Sequence, residues 1–293
     1  MNMLINETSK TTNLTKKAIE YYTDQKLIVP SVLENGYRDF SESDVECLKK
    51  ISVLRKLGIS TEEIKAILVD ETGELLQNLS VQKELAAQKE QKKKGILDRL
   101  SRDKSYTDAA RELEALEQTA TIAERLLNAF PGYYGRFICL HFARFLNEPV
   151  KTSDQRLAYR KIMEFLDNMP ALSVTQDLQD YLTECTQHIS TQNIAEMMEN
   201  TKKSIENPDQ FLSENKEYLE RYLEFKQSEE YKNSPAFKIQ NQLKEFNTTS
   251  GYYDVFIPSM KRLSASYEEY CRQMENANKK LIERYPEIAG LYD

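Results

Sequence analysis

The chain has few of the residues that build metal and redox sites. In 293 residues it carries four cysteines and two histidines, namely Cys47, Cys139, Cys185, Cys271, His141 and His188. The cysteines lie far apart in sequence, so their spacing fits neither a zinc knuckle nor an iron–sulfur cluster. Both histidines are interpreted as helix residues rather than as ligands or catalytic bases. We therefore expect no metal site and no cofactor.

Enzyme and membrane signatures are absent as well. The sequence contains no glycine-rich phosphate loop, no nucleophile elbow and no His-Glu-x-x-His pattern, so we expect no enzymatic activity. It also contains no apolar stretch of about eighteen residues and no signal peptide. These absences predict a cytoplasmic protein with no membrane partner, which agrees with the unpaired cysteines.

The clearest local signals lie near the start of the chain. Asn13 tolerates a left-handed backbone and the hydroxyl of Thr15 can cap a helix, which predicts a turn followed by a new helix. Over residues 16–25, Ile19 and Tyr22 share one face at helical spacing, which suits burial. A short helix before the turn and a second helix after it give a helix-turn-helix layout, whose second helix enters the major groove of DNA.

Three further signals follow in the next stretch. They are a tight hairpin turn at Asn35-Gly36, a capped helix start at Ser41, and another helix start at Ser60 or Thr61. The hairpin would form a wing. Each predicted helix cap coincides with a change in the spacing of apolar residues, which supports these helix boundaries.

Three motifs occur here in a restrictive order. They are Thr15-Lys-Lys-Ala-Ile-Glu-Tyr-Tyr22, Asn35-Gly-Tyr-Arg38, and Leu54-Arg-Lys-Leu-Gly58 followed by Glu63-Ile64. Together they resemble the winged helix-turn-helix domain of MerR-family transcriptional regulators, over residues 1–71. The resemblance implies a homodimer that binds double-stranded promoter DNA and acts there with RNA polymerase.

The resemblance also implies which residues contact DNA, through the second helix and the wing. By position these are Thr15, Lys16, Lys17, Tyr21, Tyr22, Tyr37, Arg38 and Arg55. The cations would neutralise phosphates, and the tyrosine hydroxyls would bond phosphate oxygens. For Tyr22 a position in the core is an equally open alternative. Glu20 stands where family members usually carry arginine; phosphate would repel its carboxylate, although it could accept a hydrogen bond from cytosine.

Charge alone does not indicate DNA binding. The chain has a formal net charge of -7, and its first 70 residues hold 10 Lys and Arg against 11 Asp and Glu. General attraction to a polyanion is therefore weak. Binding must come from locally placed cations and from two matched half-sites of a dimer.

Residues 72–129 are predicted to form a long dimerisation helix or coiled coil. They include two glycines and no proline. An alternating four-and-three spacing is carried by Ala109, Leu113, Leu116, Ala120, Ala123 and Leu127. In the family such a helix packs antiparallel against its partner. The run Lys92-Lys93-Lys94 is read as a solvated helix face, with a phosphate-binding patch as the alternative.

Residues 130–293 are long enough to bury a core of their own and are predicted to be all-helical, which makes the fold class mainly α. Residues 173–200 are predicted as one helix and residues 209–231 as another, and residues 250–257 as a loop or short strand before Pro258. The chain has 17 tyrosines and 11 phenylalanines but no tryptophan. These aromatics are compatible with a pocket for a hydrophobic or cationic small-molecule effector. Residues at two helix breaks are the candidates for it: Tyr133, Tyr134, Tyr252, Tyr253 and Phe256. The alternative is that most aromatics simply fill a helical core.

Two functions are consistent with this organisation. The first is a dimeric regulator in which a small organic ligand shifts the population toward a state that distorts promoter DNA. The second is a DNA-binding interaction scaffold whose C-terminal helices dock a protein partner without any small-molecule ligand. An exposed amphipathic surface would favour the scaffold, and a closed aromatic cavity would favour the sensor.

Overall fold

A computed structural model of the protein describes residues 3–130, 132–146, 150–172 and 174–291. The structure is 79% helical, which confirms the mainly α fold class. The chain forms two compact units, one as far as Leu75 and one from Leu76 onward. No helix among the described residues has the length and apolar character needed to cross a membrane.

The first unit combines four helices with a small antiparallel sheet. Its elements are β1 Met3–Leu4, α1 Ile5–Thr12, α2 Lys16–Asp24, β2 Ser31–Val32, β3 Arg38–Phe40, α3 Glu42–Lys56 and α4 Thr61–Ile67. The strand order is β1-β3-β2, and Val32 lies opposite Arg38 in the hairpin. This is the predicted winged helix-turn-helix.

Side-chain caps set the starts of α2, α3 and α4, as the sequence predicts. Asn13 is left-handed with φ 54°, and the hydroxyl of Thr15 accepts a hydrogen bond from the backbone N–H of Ala18 at 3.1 Å. Ser41 caps α3 and Ser60 caps α4 in the same way, each within a capping box. Because each cap satisfies an otherwise unpaired N–H, these short helices begin at defined residues.

The second unit is a helical domain. Its helices are α5 Glu74–Asp103, α6 Tyr106–Ala129, α7 Gly132–Ala143, α8 Ser153–Asn168, α9 Gln176–Thr186, α10 Thr191–Glu206, α11 Pro208–Glu214, α12 Lys216–Gln227, α13 Glu229–Lys232, α14 Pro235–Thr249, α15 Ile257–Leu263 and α16 Ala265–Arg284. A π-helical turn, Tyr252–Phe256, precedes α15, and a 3₁₀ segment, Pro286–Leu291, follows α16.

The predicted long helix is present as α5, but it ends at Asp103 rather than near residue 129. Lys104 adopts a left-handed conformation with φ 54°, and Ser105 then starts α6. Arg99 and Glu112 form an ion pair across this turn, so the two helices fold back as a hairpin. The turn contains neither glycine nor proline, which is why composition did not reveal it.

Three other expectations for the C-terminal part are corrected. Residues 173–200 were expected as one helix but include α9 and α10, and residues 209–231 include α11, α12 and α13. The stretch before Pro258 was expected to be a loop or short strand but is the π-helical turn. The N–H of Phe256 donates to the carbonyl of Gly251, five residues earlier, at 3.2 Å. Residue 173 itself lies outside the described residues.

The main core of the second unit lies between α6, α7, α8, α15 and α16. Large side chains there are completely or almost completely buried, among them Leu126, Phe142, Ile162, Phe256 and Met260. Gly135, on α7, lies against the backbone at the end of α6. A Cβ atom added there would lie 2.1 Å from the carbonyl oxygen of Phe130, so this contact requires glycine.

His141 lies on α7 within a cage of aromatic rings. The centroids of Phe142, Phe145 and Tyr270 lie 4.9, 5.5 and 5.5 Å from its ring. Burial, together with the nearby charge of Arg144, lowers the pKa of His141 to about 3. The folded protein therefore holds this imidazole neutral under conditions in which the unfolded chain binds a proton.

This difference predicts a pH dependence of stability. Since the folded-state pKa lies below the unfolded value, the contribution of His141 is complete above about pH 6.5 and is lost as the pH falls from there toward about 3. Between pH 6.5 and pH 5 the loss is about 2 kcal/mol. The free energy of unfolding of the H141Q variant, measured in urea, should not show this loss between pH 6.5 and pH 5. The control variant H188Q, at an exposed histidine, should lose stability over this pH range as the wild type does. Equal pH profiles for H141Q and the wild type would contradict the assignment of the loss to His141.

Candidate nucleic-acid interface

The exposed face of α2 carries most of the predicted DNA contacts. Lys16 and Lys17 lie in its first turn and are exposed, directly after the capping residue Thr15. Tyr21 is 47% exposed, and its hydroxyl lies 3.4 Å from that of Thr61 on α4. The first two turns of α2 therefore present two cations and a phenol to solvent, the groups that bind phosphate oxygens.

Tyr22 occupies the core instead. It is 7% exposed, and its ring meets that of Tyr21 edge to face with centroids 5.6 Å apart. The sequence left open whether Tyr22 contacts DNA or fills the core, and the structure shows that it fills the core. The proposed interface therefore excludes it.

The wing is a hairpin with a longer connection than a two-residue turn. The N–H of Gly36 donates to the carbonyl of Leu33 at 2.8 Å, and the N–H of Leu33 donates to that of Tyr37 at 2.9 Å. Gly36 is left-handed with φ 80°, which glycine adopts without strain. The side chain of Asn35 accepts from the N–H of Tyr37 at 3.1 Å. This geometry leaves Tyr37 64% exposed at the end of the hairpin.

Arg38 joins the wing to α2. Its Nη2 lies 3.5 Å from Oδ1 of Asp24, at the end of that helix, and both side chains are partly exposed. An ion pair of this kind contributes at most about 1 kcal/mol because water screens it. The pair orients the guanidinium beside the C-terminal end of α2, while leaving other N–H donors available.

Arg55 has a structural contact of its own. Its Nη1 donates to the carbonyl of Ile59 at 2.7 Å, which satisfies a backbone acceptor just beyond the end of α3. Four N–H donors remain on such a guanidinium. Arg55 therefore holds the segment between α3 and α4, and a phosphate contact would use its remaining donors.

Two charged residues modify the electrostatics of this surface in opposite ways. Glu20 is exposed on α2, between the lysines and Tyr21. Lys26 is exposed and left-handed with φ 58° just past the end of the same helix. Lys26 was missing from the predicted contacts, although a cation beside a helix end adjacent to the wing was a usable signal.

The predicted ligand residues are only partly brought together. Tyr252 packs on Tyr253 and on Phe256, with ring centroids 5.4 Å apart in each case. Tyr134 lies close to this group, since its phenol interacts electrostatically with Tyr253, and burial raises the pKa of Tyr134. Tyr133 lies apart, with its hydroxyl near the sulfur of Met197. Three of the five, Tyr252, Tyr253 and Phe256, thus form one aromatic cluster.

Sequence comparisons identify the N-terminal part of the chain. Residues 3–71 match the family described as MerR HTH family regulatory protein. The HTH-type transcriptional regulator HmrR of Rhizobium leguminosarum bv. viciae is 42% identical over 66 residues, which cover 22% of this chain and 51% of the relative. The heavy metal-dependent transcription regulator 2 of Rhizobium meliloti (strain 1021) is 40% identical over 67 residues, covering 22% of this chain and 46% of the relative.

A third relative reaches further along the chain. The HTH-type transcriptional activator mta of Bacillus subtilis (strain 168) is 25% identical over 103 residues, covering 35% of this chain and 40% of the relative. The chain spans about half the length of the curated relatives that it matches. No solved structure matches it. Residues 3–71 are therefore a MerR-family helix-turn-helix domain, joined to a helical C-terminal domain that the comparisons leave unassigned.

Proposed function

We propose that this protein is a sequence-specific transcriptional regulator of the MerR type that binds double-stranded promoter DNA as a homodimer. The observation that carries the proposal is the combined surface of α2 and the wing. There Lys16, Lys17 and Tyr21 are exposed, and Arg38 is tied to the end of the same helix. Residues 3–71, which contain this surface, match the MerR family.

Helix α5 supplies the proposed dimer contact. Leu76 and Leu97 are 42% and 63% exposed on this helix, and their separation of 21 residues places them within about 60° of each other around its axis. A second copy packed antiparallel along this face would cover both leucines. Two copies of α2 would then address two half-sites, as binding by an acidic protein requires.

The proposed action is a distortion of the promoter that lets RNA polymerase engage it. Bending and untwisting DNA costs several kcal/mol. The dimer conformation that distorts the promoter would have to make additional contacts with DNA to offset this free energy. A small organic effector would shift the population toward that state only through a difference in affinity for the two states. The second unit, as the part without a DNA-binding motif, is the proposed location of the effector.

Fluorescence anisotropy tests the proposal directly. Labelled duplex DNA from the region upstream of the protein's own gene is titrated at fixed salt and compared with a scrambled duplex. We expect saturable binding that favours the native sequence. Equal and weak binding to both duplexes would mean that Glu20 has removed sequence readout, and would contradict a sequence-specific regulator.

The wing supplies a sharper prediction. The R38A variant should bind every duplex more weakly and lower the slope of log K against log salt by about 0.9 per protomer, because one phosphate contact is lost. Salt titrations followed by anisotropy measure the slope. R284A, which removes an exposed arginine from α16, is the matched control. An unchanged slope in R38A would show that the wing does not contact phosphate.

A DNA-binding interaction scaffold is the second candidate, and one surface favours it. Tyr218, Tyr222 and Phe225 are 63%, 37% and 46% exposed on α12, at spacings of four and three residues. The rings of Tyr218 and Tyr222 stack with centroids 6.3 Å apart. An aromatic stripe of this kind suits the docking of a protein partner. The scaffold would be supported if alanine substitution of Tyr218, Tyr222 and Phe225 abolished binding of a protein partner, and if small molecules did not change DNA binding.

A further inference from the structure

A large groove runs between α5 and α6, within the second unit. It has a volume of about 1180 Å³, and residues of α5, α6 and the start of α8 line it. Beyond Lys92 and Leu116 it continues along the same two helices as a second groove of about 460 Å³. The dimensions suit a ligand at the upper end of drug-like size or larger.

The floor of the groove is apolar. Ile96, Leu116 and Leu146 are 7%, 8% and 4% exposed, and Val150 lies beside them. Below the floor are Ile122 and the other side chains of the main core. Leu146 belongs to this core and Val150 packs against it, so this part of the floor is preformed rather than assembled by the ligand.

The rim of the groove is charged, and cations outnumber carboxylates there. The cations are Lys92, Arg99, Arg111, Lys151 and Arg156, and the carboxylates are those of Asp108, Glu112 and Glu114. Two arginines are already neutralised within the protein, because Arg99 pairs with Glu112, and Arg111 lies 3.7 Å from Asp108. Lys92 stands on the α5 side, where burial lowers its pKa. An ammonium that is partly removed from water gains more from an anionic ligand than a fully hydrated one does.

Two further cations stand at the other side of the groove, at the entry to α8. The guanidinium of Arg156 donates to the carbonyl of Lys151 at 3.1 Å. Among the described residues, neither Lys151 nor Arg156 forms an ion pair with a carboxylate. Both side chains line the groove. The groove therefore offers an apolar floor and, at one end, two positive charges available to a ligand.

The groove is distinct from the proposed dimer face. Ile96 faces the groove, whereas the neighbouring residue Leu97 lies about 100° further around α5 and is 63% exposed. A second copy packed over Leu76 and Leu97 would leave the groove open. One helix thus takes part in both surfaces, on different sides.

We propose that this groove is the effector site and that it binds an amphipathic organic anion. The apolar body of the ligand lies along Ile96, Leu116 and Leu146, and its carboxylate or other oxyanion pairs with Lys151 and Arg156. The assignment rests on the proposed regulatory function, and it replaces a cationic effector by an anionic one. A cationic amphiphile of the same length would meet the same floor but would be repelled at the α8 end.

Binding is measured first without DNA. The fluorescent probe 8-anilinonaphthalene-1-sulfonate has an aromatic body and one anionic group, and it is titrated into the full-length protein. Dodecanoate is then used to displace it, with dodecylammonium and dodecanol as competitors of matched chain length. We expect dodecanoate to displace the probe at a concentration at least about tenfold lower than either competitor, the ratio that one charge-assisted hydrogen bond provides.

Variants locate the binding site. The K151A/R156A double variant should weaken dodecanoate binding about tenfold or more, whereas K238E, a charge change at an exposed residue of α14, should leave binding unchanged. G95W should block the groove from the α5 side. G95A is its control, because a Cβ at this position meets only the end of the Arg99 side chain, at 3.8 Å.

The outcomes separate this inference from the proposed function. Equal competition by all three amphiphiles, or wild-type binding in both K151A/R156A and G95W, would overturn the anion site. If a second copy's helix occupied the groove instead, the probe would bind only on dilution to monomer, and G95W would weaken dimerisation; this too would overturn it. Anion binding that leaves DNA affinity unchanged would refute the effector role alone. The anisotropy titrations of native and scrambled duplex test DNA binding separately, and the salt titrations of R38A test the contact of the wing with phosphate.

Discussion

Replacement of Gly135 by alanine is expected to destabilise the C-terminal unit by about 3 kcal/mol. The added Cβ would lie 2.1 Å from the carbonyl oxygen of Phe130 and 3.1 Å from that of Leu127. Both atoms belong to the backbone, which cannot rotate away as a flexible side chain can. Helices α6 and α7 would therefore have to move apart, which opens the core that contains Phe142.

Gly95 offers a matched control for this prediction. It also lies inside a helix, but an added Cβ would meet only the far end of the Arg99 side chain. G95A should therefore stabilise the protein by about 1 kcal/mol, because alanine is the better helix former. Urea unfolding followed by circular dichroism measures both variants. If G135A and G95A changed the free energy of unfolding in the same direction, the close approach of α6 and α7 would be wrong.

Removal of both lysines from the first turn of α2 should have the largest effect on DNA binding. In a dimer the K16A/K17A variant lacks four cations at the proposed interface, and each lost phosphate contact lowers the salt slope by about 0.9. We expect a loss of affinity of about a hundredfold or more at physiological salt, for specific and scrambled duplexes alike. Salt titrations by fluorescence anisotropy provide both quantities.

The control for this experiment removes the same number of charges elsewhere. K216A/K238A takes exposed lysines from α12 and α14 and should change neither the affinity nor the slope appreciably. Circular dichroism of K16A/K17A should match that of the wild type, since both side chains are exposed and the hydroxyl of Thr15 still caps the helix. A wild-type slope in K16A/K17A would mean that α2 does not face the phosphates.

The sequence predicted those parts of the fold that depend on neighbouring residues. Thr15, Ser41 and Ser60 each cap a helix through a backbone N–H three residues later, so the signal and its consequence lie within one turn. The hairpin was predicted for the same reason, although its connection is longer than the Asn-Gly pair suggested. The general helical character of the second unit followed from composition and period.

Features that depend on distant residues were not predictable in this way. Tyr22 lies on the same helix face whether it contacts DNA or fills the core, so periodicity cannot separate the two. The turn at Lys104 has no glycine or proline, and the Ser105-to-Asp108 spacing that starts α6 is a weak signal inside a helical pattern. Without that turn the sequence does not predict a groove between α5 and α6, and it indicates the aromatic residues at helix breaks as ligand contacts instead.

The contact between Arg38 and Asp24 bears on how fast the protein would search a genome. In the free protein the guanidinium already has a carboxylate 3.5 Å away, so in the proposed complex a phosphate would compete with that carboxylate. The internal pair contributes about 1 kcal/mol or less, which lowers affinity for an arbitrary stretch of DNA by up to about fivefold. The protein would dissociate faster from non-specific DNA and would therefore sample more sites per second. At a matched operator, additional contacts would offset the free energy needed to break the Arg38–Asp24 pair. An ion pair between two surface side chains of the same protein would thus shorten the search for the promoter.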